Sequence, residues 1–174
     1  MTEEEETELM QLFILDYDPE ISARMLCDVH LRKMCLETAQ ILSSVLFLQG
    51  RAPEEGMPRY YNLKHPVIQA VDTPPKINYT VLYNGSLHRE YFQRFQKSHA
   101  YSCLAGRYHA LLYQEGVVLT PDSLDFARAF KGIEITGRGD LVSAYRQYYR
   151  FKKSRIRHWR YTNREEPLFL LEGE

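Results

Sequence analysis

His30, Lys33 and Glu37 stand at helical intervals near the start of the chain, followed on the same line by Gln40 and Ser44. At about 100° per residue, the five fall within roughly 80° of one another around a helix. Lys33 and Glu37 are one turn apart, so an amine and a carboxylate become neighbours. A partly desolvated amine beside a carboxylate can lose its proton and attack an electrophilic carbon. The carboxylate can in turn stabilise positive charge that develops on that carbon. His30 lies two turns before Glu37 and adds a group that can accept or donate a proton near neutral pH. The same spacing also suits an ordinary i,i+4 ion pair beside a satisfied histidine.

The second group with chemical meaning is near the other end. From Leu141 to Arg164 there are eight Lys and Arg residues and no Asp or Glu. Arg146, Arg150, Lys152, Lys153, Arg155, Arg157 and Arg160 are interleaved with tyrosines, Phe151 and Trp159. Cations in such a run neutralise phosphates and release counterions. Aromatic rings between them can stack on unpaired bases or wedge into a base step. Tyr145, Tyr148 and Tyr149 are expected to pack on the core instead. The apolar side is Tyr-rich rather than Leu- or Phe-rich, which disfavours a membrane-surface helix. Arg59, Tyr60, Tyr61, Lys64 and His65 form a second, smaller basic aromatic loop.

Other chemistries find less support. His88, His99 and His109 show no metal-ligand spacing of their own, and no metal or other cofactor is expected. A site joining Asp28 or His30 to a distant histidine stays open as an alternative. There is no glycine-rich phosphate loop and no nucleophile-elbow motif. The three cysteines, Cys27, Cys35 and Cys103, form neither a disulfide framework nor a zinc-finger pattern and read as small buried hydrophobes.

The elements that must position these residues follow from periodicity and punctuation. Residues 1–10 read as an acidic disordered tail, with five glutamates in the first eight positions. Leu12–Leu15 is a short apolar strand or extended segment. A long helix is expected from about Glu20 to Gln49, because Cys27, Leu31, Met34, Thr38, Ile41, Val45 and Leu48 recur at alternating spacings of four and three. That helix is apolar around most of its circumference, which makes it central. Pro74-Pro75 bars helix until about Lys76, and a helix then runs to residue 99, with Asn84-Gly85 as a kink or break. A third helix covers 101–114, and Thr120-Pro121 starts a short one. A strand at 133–135 is conceivable within the loop 132–139. Asp140 caps a last helix running to about Trp159.

The fold class is therefore mostly α: one compact helical domain over residues 11–174 around one long central helix, with little or no sheet. Charged residues make up 26% of the chain and hydrophobic ones 44%, which places it among folded chains rather than disordered ones. No apolar run is long enough for a membrane span, and the acidic start resembles no secretory signal, so an intracellular location is expected. The net charge of −1 hides an acidic start and a basic end, a separation typical of nucleic-acid contact.

The order Leu15-Asp16-x-Asp18-Pro19, Cys27-Asp28-x-His30-x-x-Lys33-Met34-x-Leu36-Glu37-Thr38-Ala39-Gln40, His65-Pro66, Asn78-Tyr79, Glu90-Tyr91, Arg94-Phe95, Lys97 and His99 resembles a group of small phage-type proteins. The likeness continues through Leu119-Thr120-Pro121 and Ala144-Tyr145-Arg146-x-Tyr148-Tyr149-x-x-x-Lys153-x-Arg155-x-x-x-Trp159. That group is similar in turn to the pyrimidine-dimer DNA glycosylases of the phage T4 endonuclease V type. The resemblance implies a compact helical fold and a first-helix glutamate that supports glycosidic cleavage, with a histidine seven residues before it. Glu37 and His30 match those positions. It also implies that basic residues near the C-terminus hold DNA, a role that falls here on Arg146, Arg150, Lys153 and Arg155.

The nucleophile of that type is the N-terminal α-amine beside the glutamate. Here about ten residues of the acidic tail precede the matching segment, so Lys33 is the expected substitute. The sequence also departs from the group after His65-Pro66, where Ala70, Val71, Asp72 and Pro74 replace its usual Trp, Arg and Ser, and at Val29, where Lys is common. The expected function is thus a DNA glycosylase and abasic-site lyase acting on damaged or modified bases in duplex DNA. The alternatives are a non-catalytic nucleic-acid-binding or inhibitor protein on the same scaffold, and an enzyme of nucleotide or modified-base metabolism. Oligomeric state is not readable from the sequence.

Overall fold

A computed structural model describes residues 10–135 and 139–172. Among these residues the regular structure is helical and there is no strand. The helices are α1 (Pro19–Arg24), α2 (Asp28–Leu48), α3 (Pro66–Gln69), α4 (Pro74–Phe95), α5 (Ala105–Leu112) and α6 (Leu141–Lys153), with single 3-10 turns at Ser102–Leu104, Pro121–Ser123 and Leu168–Leu170. No helix among the described residues is long and apolar enough to cross a membrane.

The expected long first helix is two helices. Asp18 caps α1, accepting from the N–H groups of Glu20 and Ile21, with Pro19 in the first turn. The chain then leaves helical geometry and restarts after Cys27, whose backbone is extended. Cys27 offers no side-chain cap. Its own N–H donates to the Tyr149 hydroxyl at 2.8 Å, and the Asp28 N–H donates to the Arg160 carbonyl oxygen at 2.9 Å. Distant partners thus satisfy N–H groups that an uninterrupted helix would have bonded internally.

Helix α2 is central, as its apolar circumference predicts: Leu31, Met34, Cys35, Ala39, Ile41 and Leu42 are wholly buried. It packs against α4, which also covers α1 and α5. The two long helices are tied by a polar bond, Asn84 Nδ2 donating to Thr38 Oγ1 at 2.8 Å. Helix α4 starts at Pro74 itself, since proline in a first turn has no N–H to lose. It runs unbroken through Asn84-Gly85. The cost of an interior glycine, about 1 kcal/mol, is small beside the burial on either side of it. Gln96 ends the helix in a left-handed conformation with φ +54°.

The segment 10–15 is buried and irregular, turning at Phe13, and does not pair as a strand. Phe13 has φ +50°, a left-handed conformation that a bulky residue adopts only where packing over-determines it. Its ring stacks on His30 at 4.5 Å between centroids and meets Tyr149 edge-on at 5.4 Å. The acidic tail lies outside the described residues except for Met10, which is buried. Ile133–Ile135 is not a strand. Helix α6 begins at the Asp140 cap, as expected, but ends at Lys153, six residues short of Trp159. Of the cysteines, Cys27 and Cys35 are buried and Cys103 is exposed.

Candidate active site and nucleic-acid interface

Lys33 and Glu37 stand side by side on α2 at the edge of the core. Lys33 Nζ lies 3.5 Å from Glu37 Oε1. The other carboxylate oxygen accepts from the backbone N–H of Gln11 at 3.4 Å. Gln11 is fixed from its far side, where its side-chain amide donates to the Ala129 carbonyl oxygen. Glu37 is 8% exposed, while Lys33 is half-buried. Burial pushes the Glu37 pKa up, against the opposing pull of the Lys33 charge and the Gln11 N–H. The result is a nearly enclosed carboxylate with an amine at one oxygen and a backbone nitrogen at the other.

His30 does not join them at the surface. Its side chain is wholly buried between Phe13 and Trp159, whose ring meets it edge-on at 5.9 Å. The Tyr149 hydroxyl sits 3.0 Å from His30 Nδ1. That hydroxyl also accepts from the Cys27 N–H, so it ties the imidazole to the start of the helix. Nε2 has no hydrogen-bond partner. Burial, with a smaller push from the Lys33 charge, lowers the His30 pKa to about 3. The ring is therefore neutral and enclosed among Phe13, Tyr149 and Trp159.

At the other end of the polar line, Ser44 Oγ donates to the Gln40 carbonyl oxygen at 2.7 Å and accepts from the Tyr61 N–H at 3.0 Å. The basic aromatic loop is thereby anchored on the same face as Lys33 and Glu37. Arg59 and Lys64 are exposed on it. His65 is buried instead and caps α3, its Nδ1 accepting from the Val67 N–H at 3.2 Å. Two shallow surface hollows, one around Tyr17, Leu82 and Arg89 and one around Glu54, Met57 and Tyr60, include neither Lys33 nor Glu37.

The C-terminal cations divide into two sets. Arg146 is engaged in the fold: Nε donates to the Leu15 carbonyl oxygen at 2.8 Å, and Nη2 to Asp16 at 3.2 Å. Arg150 donates to the Phe169 carbonyl oxygen at 2.8 Å, and Lys153 pairs with Glu166 at 2.6 Å. Trp159 is half-buried and donates to Glu166 at 3.0 Å. Lys152 is half-buried above the Tyr148 ring. By contrast, Arg155, Arg157 and Arg160 are exposed beyond the end of α6. Arg155 rests on the Phe151 ring, and Arg160 reaches Asp28 at 3.4 Å while staying 71% exposed.

One group escapes sequence reasoning. Arg94 is wholly buried and donates to Glu90 at 2.7 Å, to Asp28 at 3.1 Å and to the Arg24 carbonyl oxygen at 2.9 Å. Glu90 also takes a bidentate pair from Arg164, at 2.9 and 2.7 Å, and Asp28 accepts from the N–H and hydroxyl of Thr162. Asp28 is occupied as an anion by these donors rather than left open as a metal ligand. Burial alone would raise its pKa, but the bonds from Thr162 and Arg94 together hold it below the usual carboxylate range. No local spacing signals this cluster, because its members come from three separate segments.

A family model described as pyrimidine dimer DNA glycosylase matches residues 10–102, a stretch that contains α1 to α4, Lys33, Glu37 and the basic aromatic loop. No curated protein and no solved structure matches the chain.

Proposed function

The chain belongs to the pyrimidine dimer DNA glycosylase family, and from that premise we propose that it excises damaged or modified bases from duplex DNA, with Glu37 as the catalytic carboxylate and Lys33 as the attacking amine. The observation that carries this reading is the meeting of Lys33 Nζ, Glu37 and the Gln11 nitrogen within hydrogen-bonding reach, inside the matched segment. In the type that the sequence resembles, the nucleophile is an N-terminal amine beside the glutamate. Here the nitrogen beside Glu37 is the peptide amide of Gln11, whose lone pair is delocalised into the carbonyl and is not nucleophilic. Lys33 is the amine that stands beside Glu37 among the described residues.

In the proposed reaction, Lys33 passes a proton to Glu37 or to water, and neutral Nζ attacks C1′ of the damaged nucleotide. The C1′–N bond breaks, and the base leaves with the bonding pair and takes up the proton that Lys33 released, which leaves Glu37 as its anion. The C1′–O4′ bond then opens, O4′ taking the proton that Nζ gives up, to leave an iminium between Nζ and C1′ that the Glu37 carboxylate stabilises. Loss of the C2′ proton then expels the 3′ phosphate by β-elimination, and water releases the sugar fragment. Arg155, Arg157 and Arg160, with Arg59 and Lys64 on the loop, neutralise backbone phosphates. His30 touches no substrate in this scheme and acts as a positioning residue in the first turn of α2.

Borohydride trapping tests the reading. Protein mixed with ultraviolet-irradiated, abasic-site or undamaged duplex and then reduced is expected to give a covalent adduct only where damage is present. Lys33→Ala is expected to abolish the adduct, and Glu37→Gln to abolish cleavage while DNA is still bound. An adduct that survives in Lys33→Ala would remove Lys33 as the nucleophile. A second reading, a binding protein without catalysis, is favoured by the same Gln11 amide standing where an amine is needed. Binding without adduct or strand cleavage on any of the three duplexes would support that reading.

A further inference from the structure

The feature that neither glycosidic chemistry nor DNA contact accounts for lies inside the core, between α2 and α4. Cys35 in the middle of α2, His88 in α4 and His99 just beyond α4 each present one ligand-capable atom, and the three atoms lie within 4.8 Å of one another. Cys35 is wholly buried and free, and His88 is 6% exposed. Neither ring nitrogen of His88 has a hydrogen-bond partner. A neutral imidazole carries one N–H and one lone pair, so both functions of a buried ring are left unmet, which folded proteins seldom tolerate. His99 is brought back over the helix end by the left-handed turn at Gln96. Tyr91 meets its ring edge-on at 5.1 Å, and Tyr101 lies 5.9 Å away.

We propose that Cys35, His88 and His99 form a zinc site, with water as the fourth ligand on the solvent side of His99. One thiolate and two imidazoles suit Zn²⁺ in both softness and geometry. Tetrahedral bonds of about 2.0–2.3 Å set ligand atoms roughly 3.4 Å apart, so side-chain rotations of about an ångström close the present triangle. The aromatic rings of Tyr91 and Tyr101 supply a low-polarity wall on one side. Binding releases one proton to solvent, from the Cys35 thiol. Its cost is the bond from the Tyr101 N–H to His99 Nδ1 at 3.2 Å, since that nitrogen must hold either the metal or the displaced proton. The metal would staple α2 to α4 directly behind the helix face that carries Lys33 and Glu37. The zinc site stands whether or not that face is catalytic.

The test uses the full chain, stripped with chelator under reducing conditions and titrated with Co²⁺. The expected result is one equivalent bound, with a thiolate-to-cobalt charge-transfer band and the intense visible bands of a tetrahedral ion. Zn²⁺ should displace both. Cys35→Ser should lose the charge-transfer band, and His88→Asn should lose the tetrahedral spectrum, while Cys103→Ser and His109→Asn should leave both intact. Zinc at 100-fold excess over Kd should raise the Tm of the unsubstituted chain by roughly 5 °C or more. Absence of the bands in the unsubstituted chain would overturn the site whatever the variants do. Their loss in Cys103→Ser, or their persistence in Cys35→Ser, would overturn it by placing the metal elsewhere.

Discussion

Acidification should destabilise the fold through His30, by an amount that can be worked out. The folded ring has a pKa of about 3, because burial and then the Lys33 charge oppose protonation, and Nε2 has no acceptor for it to serve as a cation. The unfolded ring titrates near the ordinary value of 6.5. A histidine held neutral in the native state contributes stability that is present above pH 6.5. That stability is lost as pH falls from there toward 3. Near pH 5 the unfolded state binds about one more proton at this site than the native state, a slope of about 1.4 kcal/mol per pH unit. Integrated from pH 7 to pH 5, the loss is about 2 kcal/mol.

Urea unfolding followed by circular dichroism at the two pH values measures it. His30→Asn offers an amide near the place of Nδ1, able to donate to or accept from the Tyr149 hydroxyl, but has nothing to titrate. The variant is expected to be less stable at pH 7, yet to lose about 2 kcal/mol less than the parent on going to pH 5. Other titrating groups are common to both proteins and cancel in that difference. Equal losses in parent and variant would show that His30 is reached by protons in the native state, and the enclosure of the ring would be wrong.

Three further outcomes follow from the geometry. Arg94→Met should cost about 3–5 kcal/mol in chemical denaturation, because it leaves Asp28 and Glu90 buried with fewer cations; a cost below about 1 kcal/mol would mean that water reaches the cluster. Tyr149→Phe should cost about 2–4 kcal/mol, since one hydroxyl serves both the Cys27 N–H and His30 Nδ1; a neutral effect on Tm would refute that bridge. Replacing Arg155, Arg157 and Arg160 by Gln should weaken DNA binding and flatten its dependence on log salt by about 0.9 for every phosphate that is no longer neutralised. Arg146→Gln, by contrast, should lower Tm and leave the salt slope nearly unchanged, and the opposite pattern would reverse the division between bound and available cations.

What could be read in the sequence was what repeats locally. The heptad from Cys27 to Leu48 locates α2 and its central place, and Asp140 marks the start of α6. Spacing also identifies Lys33 and Glu37 as neighbours. It cannot show that His30, on the same line, is turned into the core, because the cover is Phe13 in a left-handed conformation and Trp159 from the far end of the chain. The break between α1 and α2 was hidden for a similar reason: the caps of α2 are Tyr149 and Arg160. Arg146 and Arg150 look like phosphate ligands by composition, yet carbonyl oxygens of Leu15 and Phe169 engage them. Charge counting sees cations and not their partners. The triangle of Cys35, His88 and His99 escapes motif reasoning because it assembles only when α4 lies along α2.

The cluster around Arg94 also bears on the order in which the molecule is made. Asp28 meets Thr162 across a separation of 134 residues, and Glu90 meets Arg164 across 74. Closing loops of that size precedes any return from the pairings, so they tend to form late on the folding path. During synthesis the helices α1 to α4 emerge long before Thr162 and Arg164 exist, and Asp28 and Glu90 must wait with only Arg94 between them. The last segment of the chain then acts as a clasp. Damage to it should quicken unfolding far more than it slows folding, so a chain cut short before residue 160 would be released with its main helices in place and its latch open.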